Sequence, residues 1–167
     1  MNTPQIELIL ATLEREQVAY IMIGGWAVIA HGSGYITRDT DLCYQRTPEN
    51  IQRLVRALEP LHPYLRGAPP DLPFRFDART IESGLNFTLT TDAGDLDLLG
   101  EVAGLGTFER AAIFSEQMEL FGFPVRVLSL DGLVRSKKAA GRPKDLLILP
   151  ELEALLALKN RIVNHKS

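Results

Sequence analysis

Asp39 and Asp41 stand two residues apart at the head of an apolar run, Leu42-Cys43-Tyr44, that reads as a short β-strand. Alternate residues of a strand face the same way, so both carboxylates project from one surface. Like charges that close repel unless a cation neutralises them. A second strand, Gly94-Asp95-Leu96-Asp97-Leu98-Leu99, turns Leu96 and Leu98 toward a core and leaves Asp95 and Asp97 on the other face. Either of these aspartates is open to the role of a third carboxylate; the strand phase favours Asp97, because Asp95 sits against the turn. Magnesium takes a few carboxylate oxygens, several waters and substrate phosphates. Two such ions, about 3.5–4 Å apart, activate an attacking hydroxyl and stabilise a leaving oxygen. Upstream, Gly24-Gly25 closes an apolar run and leads into a helix, where bare backbone N–H groups suit phosphate oxygens. Each feature alone has a plainer reading as a turn, a solvated strand edge or the polar side of a hairpin. Together, in this order, they fit magnesium-assisted transfer of a nucleotidyl group.

The elements that must hold these residues follow from periodicity and punctuation. Thr3-Pro4 opens a first helix, and Ile6, Ile9, Leu10 and Leu13 form its buried stripe to about residue 17. Residues 19–23 read as a buried strand, and 26–31 as a short helix ended by Gly32-Ser33-Gly34. Thr47-Pro48-Glu49 opens a second long helix with Ile51, Leu54, Val55 and Leu58 inward. Residues 61–73, rich in proline, read as irregular, and 78–81 as a short helix. Residues 86–91 and 95–99 form a hairpin about Asp92-Ala93-Gly94. A loop and short helix over 104–114 come next, then a hairpin of 116–120 and 125–128 about Gly122. Ser129 caps a helix over 130–140, which Gly141 ends. A last helix is expected over 150–163, with Leu152, Leu155, Leu156 and Ile162 as its apolar residues. The sum is an α+β fold: a mixed sheet of about five or six strands flanked by helices, in one domain over 1–167, with 129–167 as a helical part packed on it.

Composition narrows the classes further. The chain has 167 residues, 46% hydrophobic and 23% charged, an ordinary globular balance. No apolar run approaches the ~20 residues of a membrane span, and the start shows no signal pattern. The lone Cys43 cannot form an internal disulfide, so a cytoplasmic setting is expected and Cys43 reads as a buried filler. A net charge of −3 argues against a dedicated nucleic-acid binder but leaves local basic patches open. One such patch is Arg135, Lys137, Lys138, Arg142 and Lys144, which reads either as a solvated helix face or as a phosphate or RNA-backbone contact. His31 and Trp26 read as structural.

Gly24-Gly25-Trp26-Ala27, followed by His31-Gly32-Ser33, Thr37 and Asp39-Thr40-Asp41-Leu42, resembles the minimal nucleotidyltransferases of the DNA polymerase β superfamily. Within it, the sequence looks most like the AbiEii-like, toxin–antitoxin-associated proteins. Gly94 to Leu99 resembles the strand that carries the superfamily's third carboxylate. The segment 136–145, with its lysine and Arg-x-Lys-Asp turn, resembles the family's C-terminal signature. The resemblance implies Asp39, Asp41 and Asp97 as catalytic metal ligands for Mg²⁺ or Mn²⁺, and Gly24 and Gly25 as a phosphate-holding turn. It also places Ser33, Thr37, Arg38, Lys137 and Arg142 near an NTP triphosphate, with Lys144 and Asp145 as a structural pair. The loop before Asp39 is long for the superfamily, which leaves Ser33 and Thr37 as alternatives for the phosphate contact. The implied activity is transfer of a nucleoside monophosphate from an NTP to a hydroxyl, with release of pyrophosphate. The implied acceptors are RNA such as a tRNA 3′ end, or a protein, with a cognate toxin or antitoxin as partner. The alternatives are a small-molecule, antibiotic-type acceptor, since such enzymes share the Gly-Gly-Trp opening, and a non-catalytic nucleotide-binding or antitoxin module.

Overall fold

The computed structural model describes residues 5–166. Helix α1 (Ile6–Arg15) buries Ile6, Ile9, Leu10 and Leu13 as its spacing requires; the expected Thr3-Pro4 cap lies outside the described residues. Strand β1 (Tyr20–Ile23) runs directly into α2 (Gly24–Ala30), so the two glycines form the first turn of the helix rather than a turn before it. Strand β2 (Asp39–Tyr44) precedes α3 (Pro48–Leu58), where the Thr47 hydroxyl accepts from the Asn50 backbone N–H at 3.2 Å. The buried Asn50 side chain then ties three segments together. Its Nδ2 donates to the Ala19 and Gln45 carbonyls at 2.9 and 2.8 Å, and its Oδ1 accepts from Ala19 N–H at 2.7 Å. One amide thereby fixes where β1 starts and β2 ends.

Beyond α3 the proline-rich segment is less irregular than its composition suggests. After a single 3₁₀ turn, Tyr64–Leu65 pairs with the next strand as edge strand β3. Short edge strands tolerate neighbouring prolines because one side of the ladder needs no partner. The loop that follows is pinned by the Tyr64 hydroxyl, which donates to the Pro69 and Leu72 carbonyls, and by an edge-on contact between Tyr64 and Phe74. Helix α4 (Ala78–Ser83) is capped by Asp77, whose carboxylate accepts from Thr80 N–H at 2.8 Å. Strands β4 (Phe87–Thr91) and β5 (Gly94–Leu99) form the expected hairpin.

A two-stranded ribbon not foreseen from the sequence, β6 (Glu101–Val102) with β7 (Gly106–Thr107), leads to α5 (Phe108–Ala111). Strands β8 (Ser115–Leu120) and β9 (Phe123–Leu128) follow as a hairpin. Helix α6 (Leu130–Ala140) has Ser129 as cap and Gly141, at φ +63°, as stop. The last helix differs from expectation: α7 runs over Pro143–His165 and contains Pro150. Proline belongs at a first helical position, but Pro143 already occupies it, and the Arg142–Asp145 side chains close a capping box there. Pro150 leaves one carbonyl unpaired, a tolerable loss where Leu146 and Leu147 face solvent. Leu152 is buried, whereas Ile162 is 50% exposed.

Among the described residues, seven strands form one mixed sheet in the order β3-β4-β5-β2-β1-β9-β8. The β2–β5 and β1–β9 pairs are parallel and the others antiparallel. The fold is α+β as expected, with one or two more strands than the sequence suggested. Helix α6 packs on α7 and touches α2, which brings the C-terminal helices over the end of β1 and β2. Among the described residues, no helix is long and apolar enough to cross a membrane.

Candidate active site

The central event of the site is the pairing of β2 with β5. Their parallel register sets Asp39 opposite Asp95 and Asp41 opposite Asp97, while Thr40, Leu42, Leu96 and Leu98 point into the core. Strand parity thus brings four carboxylates to one face of the sheet. Of these, Asp39, Asp41 and Asp97 line a cavity of about 220 Å³; Asp95 does not. The same cavity is walled by Gly24, Gly25, Tyr35 and Thr37 on one side and by Lys137, Arg142 and Lys144 on the other.

Gly24 is required twice over. Its φ of +66° lies in the left-handed region, and a Cβ there would stand 2.1 Å from Asp41 Oδ2. At Gly25 a Cβ would fall 2.5 Å from Thr37 Cβ, because the loop before β2 lies down on the helix start. Thr37 locks that loop: its hydroxyl donates to the Asp39 carbonyl at 3.0 Å and accepts from Asp39 N–H at 3.3 Å. Replacing Gly24 by alanine is therefore expected to cost about 1–2 kcal/mol in backbone strain alone and to push Asp41 off its position. A lower urea midpoint is the measurement that checks this.

The electrostatics follow from the crowding. Burial, then the charge of Asp97, a hydrogen bond shared with it, and the charge of Asp39 push the Asp41 carboxyl up to about 7, against a smaller opposing pull from Lys137. A carboxylate in that condition needs a counter-charge to stay ionised near neutral pH. On the opposite wall, Asp145 is fully buried and gathers the cations. Arg142 donates to it through Nε at 2.7 Å and Nη2 at 3.2 Å, its backbone N–H does so at 3.1 Å, and Lys137 Nζ lies 3.2 Å away. Burial raises the Asp145 carboxyl, but the hydrogen bonds and charges of Arg142 and Lys137 more than offset this and hold it below the usual range. The Arg142 guanidinium is raised in turn, first by its hydrogen bond to Asp145 and more weakly by the charge of Asp41. Lys144 takes no part in that pairing, contrary to expectation; the partner of Asp145 is the Lys137–Arg142 couple. Lys144 is exposed at the cavity edge and forms no ion pair among the described residues.

Not every residue implicated by the sequence arrives here. Ser33 and Arg38 do not line the cavity. The Ser33 hydroxyl donates to Glu151 on α7 at 2.7 Å and accepts from Tyr35 N–H at 3.1 Å, which shapes the loop. Cys43 is buried and its thiol is pushed up to about 12, chiefly by burial, so it has no nucleophilic character. The His31 ring meets the Leu128 carbonyl at 2.9 Å and Trp26 packs edge-on against Phe121, both as structural residues. One residue that sequence reading missed is Arg66, immediately after β3. Its Nη2 donates to Asp97 Oδ1 at 2.8 Å, and its Nε lies 3.3 Å from Asp95 Oδ2. No motif marks it; only the edge strand hidden among prolines, once paired with β4, carries it to the carboxylates.

Among the described residues, no three acidic, histidine or cysteine side chains close around a common point as a protein-only metal cage does. The donor set suits magnesium nonetheless. That ion needs only one or two carboxylates when waters and phosphates complete its shell, and the uncompensated Asp41 faces Asp97 and Asp39 in one cavity.

Sheet order, register and the helical corner over the cavity define the nucleotidyltransferase fold. The solved structures that the chain is similar to bear this out. One is the lincosamide antibiotic adenylyltransferase LnuA in its lincomycin-bound form, at a TM-score of 0.60 and 16% identity, covering 93% of this chain and 99% of that one. Another is ANT(2")-Ia in complex with adenylyl-2"-tobramycin, at a TM-score of 0.57 and 17% identity, covering 97% of each chain. The solution structure of ANT(2'')-Ia gives 0.55 at 16% identity, covering 97% of this chain and 93% of that one. No family model and no curated protein matches the sequence.

Proposed function

We propose that the protein is a nucleotidyltransferase that moves a nucleoside monophosphate from an NTP to a hydroxyl of a small-molecule acceptor. The observation that carries this reading is the gathering of Asp39, Asp41 and Asp97 with Lys137, Arg142 and Lys144 around one cavity that Gly24 and Gly25 also line. The acceptor oxygen attacks the α-phosphorus, the new P–O bond forms, the bond to the β-phosphate oxygen breaks, and pyrophosphate leaves. Asp39, Asp41 and Asp97 would hold magnesium or manganese, and Asp97 also takes the proton of the attacking hydroxyl. When bound there, the cation neutralises the carboxylates and the charge that develops on the phosphate. The glycine start of α2 admits the phosphates close to the backbone, and Lys144 meets the outer phosphates.

Two observations favour a small acceptor over RNA. First, the basic segment is largely consumed internally: Arg135 pairs with Asp131, Lys138 with Glu153, and Lys137 and Arg142 with Asp145. Lys144 alone of the five is left without an ion pair among the described residues, too little for a backbone-tracking surface. Second, a more open depression beside the first shares Leu99, Val102 and Ala103 with it, which leaves room next to the carboxylates for a small molecule. The fold neighbours named above were solved with lincomycin and with adenylyl-2"-tobramycin, which makes those two antibiotic classes the first acceptors to try.

The test is to supply each α-labelled NTP with Mg²⁺ or Mn²⁺ and lincomycin, tobramycin or total tRNA. Label on an antibiotic supports the reading. Label on tRNA alone replaces the acceptor class and restores the RNA reading, with its toxin–antitoxin partner. Binding of NTP without transfer to any acceptor favours a binding module. Lys144→Ala is expected to raise KM for the NTP about tenfold, the value of one charged hydrogen bond, while kcat changes little. Steady-state kinetics at varied NTP check this.

A further inference from the structure

Four carboxylates share one sheet face across two neighbouring strands, and in the helical corner Lys137 and Arg142 are committed to Asp145. Among the described residues, the ion pairs made by Asp95 and Asp97 are with Arg66 alone. Arg66 is also held far more firmly than a surface arginine. Its backbone N–H donates to the Thr88 carbonyl at 3.0 Å, and its Nη2 donates to the Leu89 carbonyl at 2.7 Å as well as to Asp97. The chain on either side is fixed by β3 and by the clamped proline loop. The planar fork holds a backbone carbonyl and Asp97 through Nη2 and sets Nε, without a hydrogen bond, 3.3 Å from Asp95, a placement of charge that a flexible lysine ammonium does not reproduce.

We propose that Arg66 is a positioning residue for the third carboxylate and the built-in counter-charge of the acidic face. This rests on the reading of Asp39, Asp41 and Asp97 as a divalent-cation site. By taking Oδ1 of Asp97, the guanidinium leaves Oδ2 as the oxygen available to the cavity. The side chain then has a fixed orientation toward the attacking hydroxyl instead of a choice of rotamers. By offsetting the charge of the Asp95–Asp97 pair, Arg66 also keeps the acidic face from holding a divalent cation too tightly. The two roles pull in opposite directions on removal: orientation is lost while the appetite for cations rises. A residue that merely stabilised the fold would weaken both.

The test uses the full chain and Mn²⁺ alone, with binding read by electron paramagnetic resonance, alongside label transfer and thermal melting. Arg66→Gln removes the charge and is expected to bind Mn²⁺ about fivefold tighter. Arg66→Lys keeps the charge but loses the fork. It is expected to bind Mn²⁺ as the wild type does, while transferring label about tenfold more slowly at unchanged KM for the NTP. A folded Gln variant that binds Mn²⁺ no tighter than wild type overturns the inference, as does a Lys variant with the wild-type transfer rate. If the Gln variant does not fold, the Lys variant decides alone. Asp41→Asn is the reference. If it loses Mn²⁺ binding while the Arg66 variants behave as wild type, only the role of Arg66 falls. If it binds Mn²⁺ as wild type does, the cation site falls and this inference with it.

Discussion

Asp41→Asn is expected to lower nucleotidyl transfer by about 10³-fold or more, as loss of a group that organises charge in the transition state does, and at the same time to stabilise the metal-free protein. The first effect follows from its place between Asp39 and Asp97 at the cavity floor. The second follows from the sign of its proton equilibrium. The Asp41 carboxyl is raised from 3.8 to about 7, mainly by burial and by Asp97. In the unfolded chain this group ionises first, so the metal-free wild type loses folding free energy as pH rises from about 4 to about 7. An asparagine never ionises. The two proteins should therefore melt alike near pH 4 and separate across that window, with the variant higher by about 5 °C or more at pH 8. Thermal melts in chelator at several pH values read this directly. Equal melting temperatures at pH 8 would mean that Asp41 is not under strain. The trade of stability against activity is the usual sign of a functional carboxylate.

Asp145→Ala is expected to act in the reverse sense on stability. Asp145 is fully buried and satisfies Lys137 and both ends of Arg142 at the joint between α6 and α7. Removing a buried carboxylate strands the mostly buried Lys137, but Arg142 is more than half exposed and regains water, so the cost is about 2–3 kcal/mol, less than for a fully buried pair. The pH dependence has the opposite sign from that of Asp41. A carboxyl held below its ordinary value stabilises the fold above about pH 4, and that contribution is lost as pH falls through its folded value. Urea unfolding should show the full gap at neutral pH and convergence in acid. Because Lys137 and Arg142 line the cavity, KM for the NTP should rise in the same variant.

These two aspartates also show how the sequence could be read and where it fell short. The carboxylate pair on β2 was legible because a strand has period two, and an apolar run behind it fixed the phase. Parity puts Asp95 and Asp97 on one face, so the choice of Asp97 came from the family resemblance and from Asp95 sitting against the turn; the register sets Asp97 beside Asp41 and Asp95 beside Asp39. Asp145 was less legible: a short Arg-x-Lys-Asp string does not say which cation folds back onto the acid. The capping box at the start of α7 selects Arg142 and swings Lys144 outward. The helix start itself was misplaced because Pro150 looked like a first-turn proline, when Pro143 held that position. Arg66 was illegible, since its meaning depends on a two-residue edge strand that no periodicity can reveal. Ser33 shows the converse: a hydroxyl in the expected stretch, turned instead to Glu151.

The parallel alignment of β2 with β5 has a consequence for how this chain tolerates change in length. The strands are joined through some fifty residues of helices, loops and an edge strand, and most of that connection can absorb an added or missing residue by bending. Within β5 no such slack exists. Deleting a single residue between Asp95 and Leu98 would exchange the two sides of the strand, sending leucines to the cavity and an acid into the core. In a lineage of such proteins, insertions and deletions should therefore accumulate in the segment after Arg66 and stay out of two six-residue windows, Asp39–Tyr44 and Gly94–Leu99. Spacing inside those windows, more than the identity of the residues around them, is what natural variation is not free to alter.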